Sequence, residues 1–121
     1  MALQIEFQPI AKSEDLIENQ GQPFTVEGVR IAVIRHGGEL YALDDFCPHA
    51  DATIALGLVD NGCIACPWHF AEFELATGKV LSGPAARGIR THLIREKNGM
   101  IEVALRAGPT ERGKEESCRD H

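Results

Sequence analysis

The sequence lacks the features that mark a large, exported or membrane-bound protein. No apolar run approaches the roughly 18 residues that a membrane-spanning helix requires, and residues 1–10 have neither the basic start nor the long apolar stretch of a secretory signal. A chain of 121 residues predicts one small domain. Such a domain is too short for a catalytic pocket and a separate cofactor domain. We therefore expect a cytoplasmic protein that is neither exported nor anchored to a membrane.

Basic residues are missing from the middle of the chain. No Lys or Arg occurs between Arg35 and Lys79, although that interval holds seven acids: Glu39, Asp44, Asp45, Asp51, Asp60, Glu72 and Glu74. The rest of the chain carries twelve bases against eleven acids, so the formal net charge of −6 comes from this acidic segment. Phosphate binding needs the opposite sign, which argues against a nucleic-acid partner. The acids either keep a surface solvated or dock a partner with a basic face.

Helix signals are scarce, whereas alternating apolar residues and turn dipeptides predict an all-β chain. Alternation over residues 3–7 predicts a first strand, and residues 24–26 and 29–34 predict two more. Three turn dipeptides predict hairpins that continue into residues 40–43, 80–81 and 100–105: Gly37-Gly38, Thr77-Gly78 and Asn98-Gly99.

Two segments stand apart from the strands. Residues 13–16 can open a short helix, which Gly21 and Pro23 prevent from extending. Residues 106–121 contain almost nothing apolar, so we expect a disordered C-terminal tail.

Three of the four cysteines lie between positions 47 and 66, and two of them are paired with histidine. Cys47-Pro48-His49 and Cys66-Pro67-Trp68-His69 would place four ligands around one site if the two loops face each other. Thiolate and imidazole both suit iron, copper and zinc, so composition leaves the metal open. A zinc finger usually keeps like ligands together, whereas each loop here mixes them. Mixed loops suit two metal ions, one bound by both thiolates and the other by both imidazoles.

The pattern Cys47-x-His49 with Cys66-x-x-His69 resembles the signature of the Rieske iron–sulfur family. The resemblance implies a [2Fe-2S] cluster in which Cys47 and Cys66 hold the buried iron, and His49 and His69 hold the outer iron. Asp51 departs from the pattern, because many members of the family have glycine at that place. It leaves the ligands intact and adds a negative charge beside the cluster.

The resemblance is strong over residues 45–84, where Gly57, Phe73 and the Thr77-Gly78 turn add to it. It implies an all-β, Rieske-like fold with antiparallel basal sheets and a small inserted cluster-binding subdomain. We expect the Rieske domain to span residues 1–105, with the subdomain at about 45–84 and the tail at 106–121.

A structural zinc site is an alternative that uses some of the same residues. Its ligands would be Cys63, Cys66 and the two histidines. We interpret Cys63 instead as a buried strand residue and Cys118 as a free thiol in the tail.

The chain lacks two features that Rieske proteins of respiratory complexes carry. Ala52 and Trp68 stand where those proteins have the cysteines of a disulfide between the loops. Ala71 and Phe73 stand where they have Ser and Tyr hydroxyls, which donate hydrogen bonds to a sulfide and to a cysteine sulfur.

The chain resembles most the ferredoxin component of aromatic-ring dioxygenase systems. This implies a one-electron carrier, not an enzyme, that takes electrons from a flavin reductase and passes them to a terminal oxygenase. The acidic segment would steer brief docking with both partners. A terminal oxygenase needs a further domain with a mononuclear iron site, for which this chain has no room. The second interpretation is the small Rieske subunit of an assimilatory nitrite reductase-like complex, and the third is a zinc-stabilised binding module without redox activity.

We predict a low reduction potential, towards the roughly −150 mV end of the Rieske range. Reduction adds negative charge, which hydrogen bonds to sulfur stabilise, so the hydroxyls missing at Ala71 and Phe73 lower the potential. Redox titration of the purified protein measures the midpoint, and a value above about +100 mV would contradict the prediction.

Overall fold

The computed structural model describes residues 6–46, 53–67, 71–82 and 88–106. Within these ranges the chain forms ten β-strands and one short 3₁₀ helix at Ser13–Asp15. The all-β prediction is confirmed, and so is the short helix. In the same ranges no helix is long and apolar enough to cross a membrane.

The strands form two antiparallel sheets. The six-stranded sheet, here called the basal sheet, has the order β1-β10-β9-β4-β3-β2, and the four-stranded small sheet has the order β5-β6-β7-β8. The strands are β1 (Gln8–Lys12), β2 (Gly21–Val26), β3 (Val29–His36), β4 (Glu39–Asp44), β5 (Leu58–Asp60), β6 (Cys63–Ala65), β7 (Glu72–Glu74), β8 (Val80–Ser82), β9 (Thr91–Lys97) and β10 (Met100–Ala104). The small sheet lies wholly within the predicted subdomain of residues 45–84.

The three predicted hairpins are confirmed as β3–β4, β7–β8 and β9–β10. Gly37 and Gly38 both have positive φ, as do Asn98 and Gly99, which is the backbone that a tight two-residue hairpin turn requires. A further hairpin, β5–β6, was not predicted although Asn61-Gly62 at its turn has the same φ signs. Its strands have only three residues each, too few to show an alternating pattern.

Among the described residues, the first strand begins after residues 3–7, where the alternation predicts it; residues 3–5 of that segment lie outside the description. Glu6 and Phe7 lie outside any strand, and β1 covers Gln8–Lys12. Its pairing with β10 contains an irregularity between Pro9 and Ala11, and Pro9 has no N–H to donate to the ladder. Such an irregularity breaks the period of two, so this segment does not read as a strand in sequence. Residues 1–5 and 107–121, the latter most of the predicted tail, lie outside the described residues.

Strand β3 is buried on both faces and contributes to two apolar clusters. Ile31 and Val33 pack with residues of β2, β4 and β10 in a cluster enclosed by the basal sheet. Ala32 and Ile34 point the opposite way and pack against the small sheet. Because successive side chains of a strand face opposite sides, a slip of one residue would exchange these two sets.

The small sheet has one buried and one exposed face. Ile64 and Phe73 are fully buried against the basal sheet, and Val59 and Val80 pack beside them. The residues that alternate with them face away from this cluster: Leu58, Asp60, Cys63, Ala65, Glu72 and Glu74. We call this second set the outer face.

The small sheet is inserted between two neighbouring strands of the basal sheet. Strands β4 and β9 pair through Ala42 with His92 and Leu43 with Thr91. At the root of the insertion, the Asp44 N–H donates to the Arg90 carbonyl at 2.9 Å. The chain therefore leaves the basal sheet and returns to it at the same place.

Candidate metal centre

The two predicted ligand loops leave from the ends of β4 and β6. Loop 1 covers residues 45–57, between β4 and β5, and loop 2 covers residues 66–71, between β6 and β7. Of the predicted ligands, Cys66 lies among the described residues, whereas Cys47, His49 and His69 lie outside them. In the part of the chain that is described, no three His, Cys, Asp or Glu side chains gather as a metal site. Ligation by the four residues therefore stays a prediction.

Cys66 is a fully buried free thiol at the root of loop 2. Its N–H donates to the carbonyl of Ala71 at 2.8 Å, which closes the loop over residues 67–70. The same apolar cluster contains Ile54 and Ala55 of loop 1. The roots of the two loops therefore share one apolar cluster, with a soft sulfur donor inside it. This donor chemistry fits an iron–sulfur group.

Neither position 71 nor position 73 supplies a hydroxyl group near Cys66, as the sequence indicates. Ala71 and Phe73 both belong to the apolar cluster that contains Cys66, and neither has surface accessible to solvent. Their methyl and phenyl groups keep water away from this side of the loop.

Asp45 ties the two ends of loop 1 together. Its side chain is 0% exposed. Its Oδ1 accepts hydrogen bonds from the N–H groups of Ile54 and Ala55 at 2.8 and 2.9 Å, and from the Thr53 hydroxyl at 2.6 Å. Its Oδ2 pairs with the Arg30 guanidinium of β3 at 3.1 Å. A buried carboxylate of this kind needs such partners, because its charge is otherwise costly to remove from water.

Asp44 is a second buried acid, and it binds the strand where the chain returns. His92 Nε2 lies 2.7 Å from Asp44 Oδ1, and Arg90 Nε lies 3.2 Å from Oδ2. The Arg106 N–H donates to His92 Nδ1 at 3.0 Å, so Nε2 carries the hydrogen that His92 donates to Asp44.

The expectation that the acids of the acidic segment form a solvated or docking surface is wrong for Asp44 and Asp45, because both are buried and paired with arginine. Arg30 and Arg90 come from outside the acidic segment, so local composition gave no sign of the pairing.

His36 connects the basal sheet to the small sheet. Its Nε2 accepts the N–H of Gly62 in the β5–β6 turn at 2.9 Å, and its Nδ1 donates to Asn19 Oδ1 at 2.6 Å. His36 lies in β3 and His92 in β9.

Carboxylates concentrate on the outer face of the small sheet, around Cys63. Burial is the main cause that raises the pKa of the Cys63 thiol, and the charges of Glu72, Glu74 and Asp60 raise it further. Leu58, 73% exposed, lies on the same face, beside a cavity of about 320 Å³. Cys63 is a strand residue as predicted, but it is half-buried and not part of the core. A strand of three residues is too short to show an alternating pattern, so the sequence does not indicate which face of the sheet carries Cys63.

Comparison with known proteins relates this chain to one family. Residues 6–93 match the Rieske [2Fe-2S] domain family. A curated relative, the ferredoxin component of the naphthalene 1,2-dioxygenase system of Pseudomonas putida, is 33% identical over 91 residues, which cover 75% of this chain and 88% of the relative.

Solved structures show the same architecture. The ferredoxin of carbazole 1,9a-dioxygenase from Nocardioides aromaticivorans IC177 matches with a TM-score of 0.79 and 26% identity, over 83% of this chain and 98% of that one. A complex of reduced oxygenase and oxidized ferredoxin in carbazole 1,9a-dioxygenase contains a chain that matches with a TM-score of 0.78 and 25% identity, over 87% of this chain and 100% of that one. Structures named as nitrite reductase small subunits match at 21% and 22% identity, which is a likeness of fold alone. The Rieske-like fold prediction is confirmed.

We predict slow alkylation of Cys63, because only the thiolate reacts and its pKa is raised. Iodoacetamide labelling of the holoprotein, mapped by mass spectrometry across pH, should give Cys63 a midpoint above that of the tail residue Cys118. Glu72→Gln removes one of the carboxylates and should lower the Cys63 midpoint, whereas Glu14→Gln, in the 3₁₀ helix and not among the charges that act on Cys63, should leave it unchanged. A Cys63 midpoint at or below that of Cys118 would contradict the prediction.

Proposed function

Because the chain belongs to the Rieske [2Fe-2S] family, we propose that it carries single electrons from a flavin-dependent reductase to a terminal oxygenase. It is an electron-transfer component, not an enzyme, and we place it in the cytoplasm. The observation that carries the proposal is the buried free thiol of Cys66, which shares an apolar cluster with loop 1. The relative from Pseudomonas putida is named as a ferredoxin component of a dioxygenase system, which supports the same role.

The [2Fe-2S] cluster, when bound, accepts and releases one electron. We assign Cys47 and Cys66 to one iron, and His49 and His69 to the other. Among the described residues, Cys66 supplies the soft ligand that such a cluster needs. Ile54, Ala71 and Phe73 surround the loop roots with apolar groups and exclude water there.

The outer face of the small sheet supports transient docking of a partner with a basic surface. Asp60 and Glu72 are exposed on it, and Glu74 is half-buried beside them. No Lys or Arg occurs anywhere between residues 36 and 78, so this segment contributes only negative formal charge. Electrostatic attraction of this kind speeds encounter more than it tightens binding, which suits a shuttle that must release each partner. The solved complex of an oxygenase with a ferredoxin is an association of the proposed type.

We predict that the purified protein contains two irons and two acid-labile sulfides per chain and is red-brown. Electron paramagnetic resonance of the dithionite-reduced protein should show a mixed His and Cys cluster. His49→Cys should abolish or transform that spectrum, whereas His121→Cys, in the tail, should leave it intact.

Other outcomes separate the rival functions. A colourless protein that contains zinc and no iron would contradict the proposal and indicate a zinc-stabilised module. Stable co-purification with a large flavin and haem enzyme would instead indicate a permanent subunit of a nitrite reductase-like complex.

We predict that electron transfer to the terminal oxygenase slows as salt rises, because salt screens exposed charges. The double variant Asp60→Lys and Glu72→Lys should reduce the second-order rate about tenfold at low ionic strength. Stopped-flow mixing of reduced carrier with oxygenase measures this rate. Glu14→Lys reverses one exposed acid in the 3₁₀ helix, outside the small sheet, and should have little effect. A rate that is independent of salt would remove the docking surface from the proposal.

A further inference from the structure

We propose that Asp45 is a positioning residue for the [2Fe-2S] cluster, because it sets where loop 1 lies relative to loop 2. The inference rests on the proposed function, since Cys47 and His49 are assigned as ligands there and both belong to loop 1. Asp45 itself is not a ligand in this proposal. It acts through the backbone that carries the ligands.

The carboxylate of Asp45 joins three parts of the chain at one point. Asp45 follows β4, its N–H donates to the Arg30 carbonyl of β3 at 3.0 Å, and its Oδ2 pairs with the Arg30 guanidinium. Both carboxylate oxygens accept from the Thr53 hydroxyl, and Oδ1 also accepts the N–H groups of Ile54 and Ala55. The residues that precede and follow positions 46–52 are therefore held to each other and to the basal sheet.

The turn that Asp45 holds lies directly against the strand that leads to Cys66. The Gly57 N–H donates to the Ile54 carbonyl at 2.9 Å and closes this turn. A Cβ at Gly57 would collide with the carbonyl of Ala65, the residue before Cys66. The backbone of loop 1 thus meets the last residue of β6 without an intervening side chain, so a shift of residues 53–57 changes the position of loop 1 against the strand from which loop 2 leaves.

A second close approach restrains the same turn from its other side. A Cβ at Gly21 of β2 would collide with the Ala55 carbonyl. The turn is therefore confined between β2 and β6, and the Asp45 carboxylate occupies its two buried N–H donors. With Asn at this position one side-chain oxygen remains for those N–H groups, but the charge that pairs with Arg30 is lost and an NH₂ donor takes the place of the oxygen that faces the guanidinium, so the side chain or the turn has to move.

Asp44 provides a matched control. It is the adjacent residue, it is also buried, and its carboxylate is also paired with an arginine. Its bonds to His92 and Arg90 lie at the return to β9. Asp44→Asn and Asp45→Asn therefore remove the same charge at nearly the same place, and the difference between them reports the hold on loop 1.

The test compares wild type, Asp44→Asn and Asp45→Asn as purified holoproteins. Loss of iron to a chelator should be about tenfold faster in Asp45→Asn, the lower end of what supporting residues at metal sites contribute. Its reduced electron paramagnetic resonance spectrum should be shifted or broadened. Asp44→Asn should keep the wild-type spectrum and a rate of iron loss close to wild type. This should hold even if its thermal unfolding temperature falls as much as that of Asp45→Asn.

Thr53→Val keeps the proposal testable if Asp45→Asn does not fold. Valine has nearly the shape of threonine and removes only the hydroxyl group, which donates to Asp45 and accepts the Ala55 N–H at 3.3 Å. It should therefore shift the spectrum and speed iron loss in the same direction but less. Wild-type behaviour of Thr53→Val, or of a folded Asp45→Asn, would overturn the positioning role while the wild-type cluster leaves the proposed function intact. A wild-type chain that holds no iron would overturn both.

Discussion

The packing of the small sheet on the basal sheet is the constraint on which the rest of this structure depends. A single apolar cluster joins Ile34 and Leu43 of the basal strands to Phe73 of the small sheet. It also contains Ile54 of loop 1 and Cys66 of loop 2, so the force that holds the sheets together also brings the loop roots together. Loss of a buried phenyl group from such a cluster costs about 3–5 kcal/mol. Binding of the [2Fe-2S] cluster and folding of the domain therefore depend on the same buried apolar surface.

Local patterns were enough to predict most of the fold, because alternation and turn dipeptides are read over a few residues. The hairpins at Gly37-Gly38 and Asn98-Gly99 are of this kind. The irregular pairing at Pro9 and the short strands beside Asn61-Gly62 escaped prediction, since neither leaves a period to detect. The ligand motif is local within each loop. Asp45 and Asp44 could not be identified in this way, because Arg30 lies 15 residues before Asp45 and His92 lies 48 after Asp44.

Charge in the sequence and charge on the surface differ in this protein. The acidic segment looks uniform along the chain, but folding divides it into two groups with different roles. Asp44 and Asp45 turn inward, where arginines from other strands balance them. Asp60 and Glu72 remain in solvent on the outer face of the small sheet. Asp45 binds residues of loop 1, Asp44 binds the residues by which the chain returns to the basal sheet, and the exposed acids give the outer face its negative charge.

The place where the chain leaves and re-enters the basal sheet has a consequence for how such a domain can diverge. Since β4 and β9 are already neighbours, the segment between them begins and ends at almost one point. Extending a closed loop adds little entropic cost, about 0.6 kcal/mol for each doubling of its length. The segment inserted between β4 and β9 can therefore be lengthened, shortened or replaced in evolution while the six strands of the basal sheet keep their pairing.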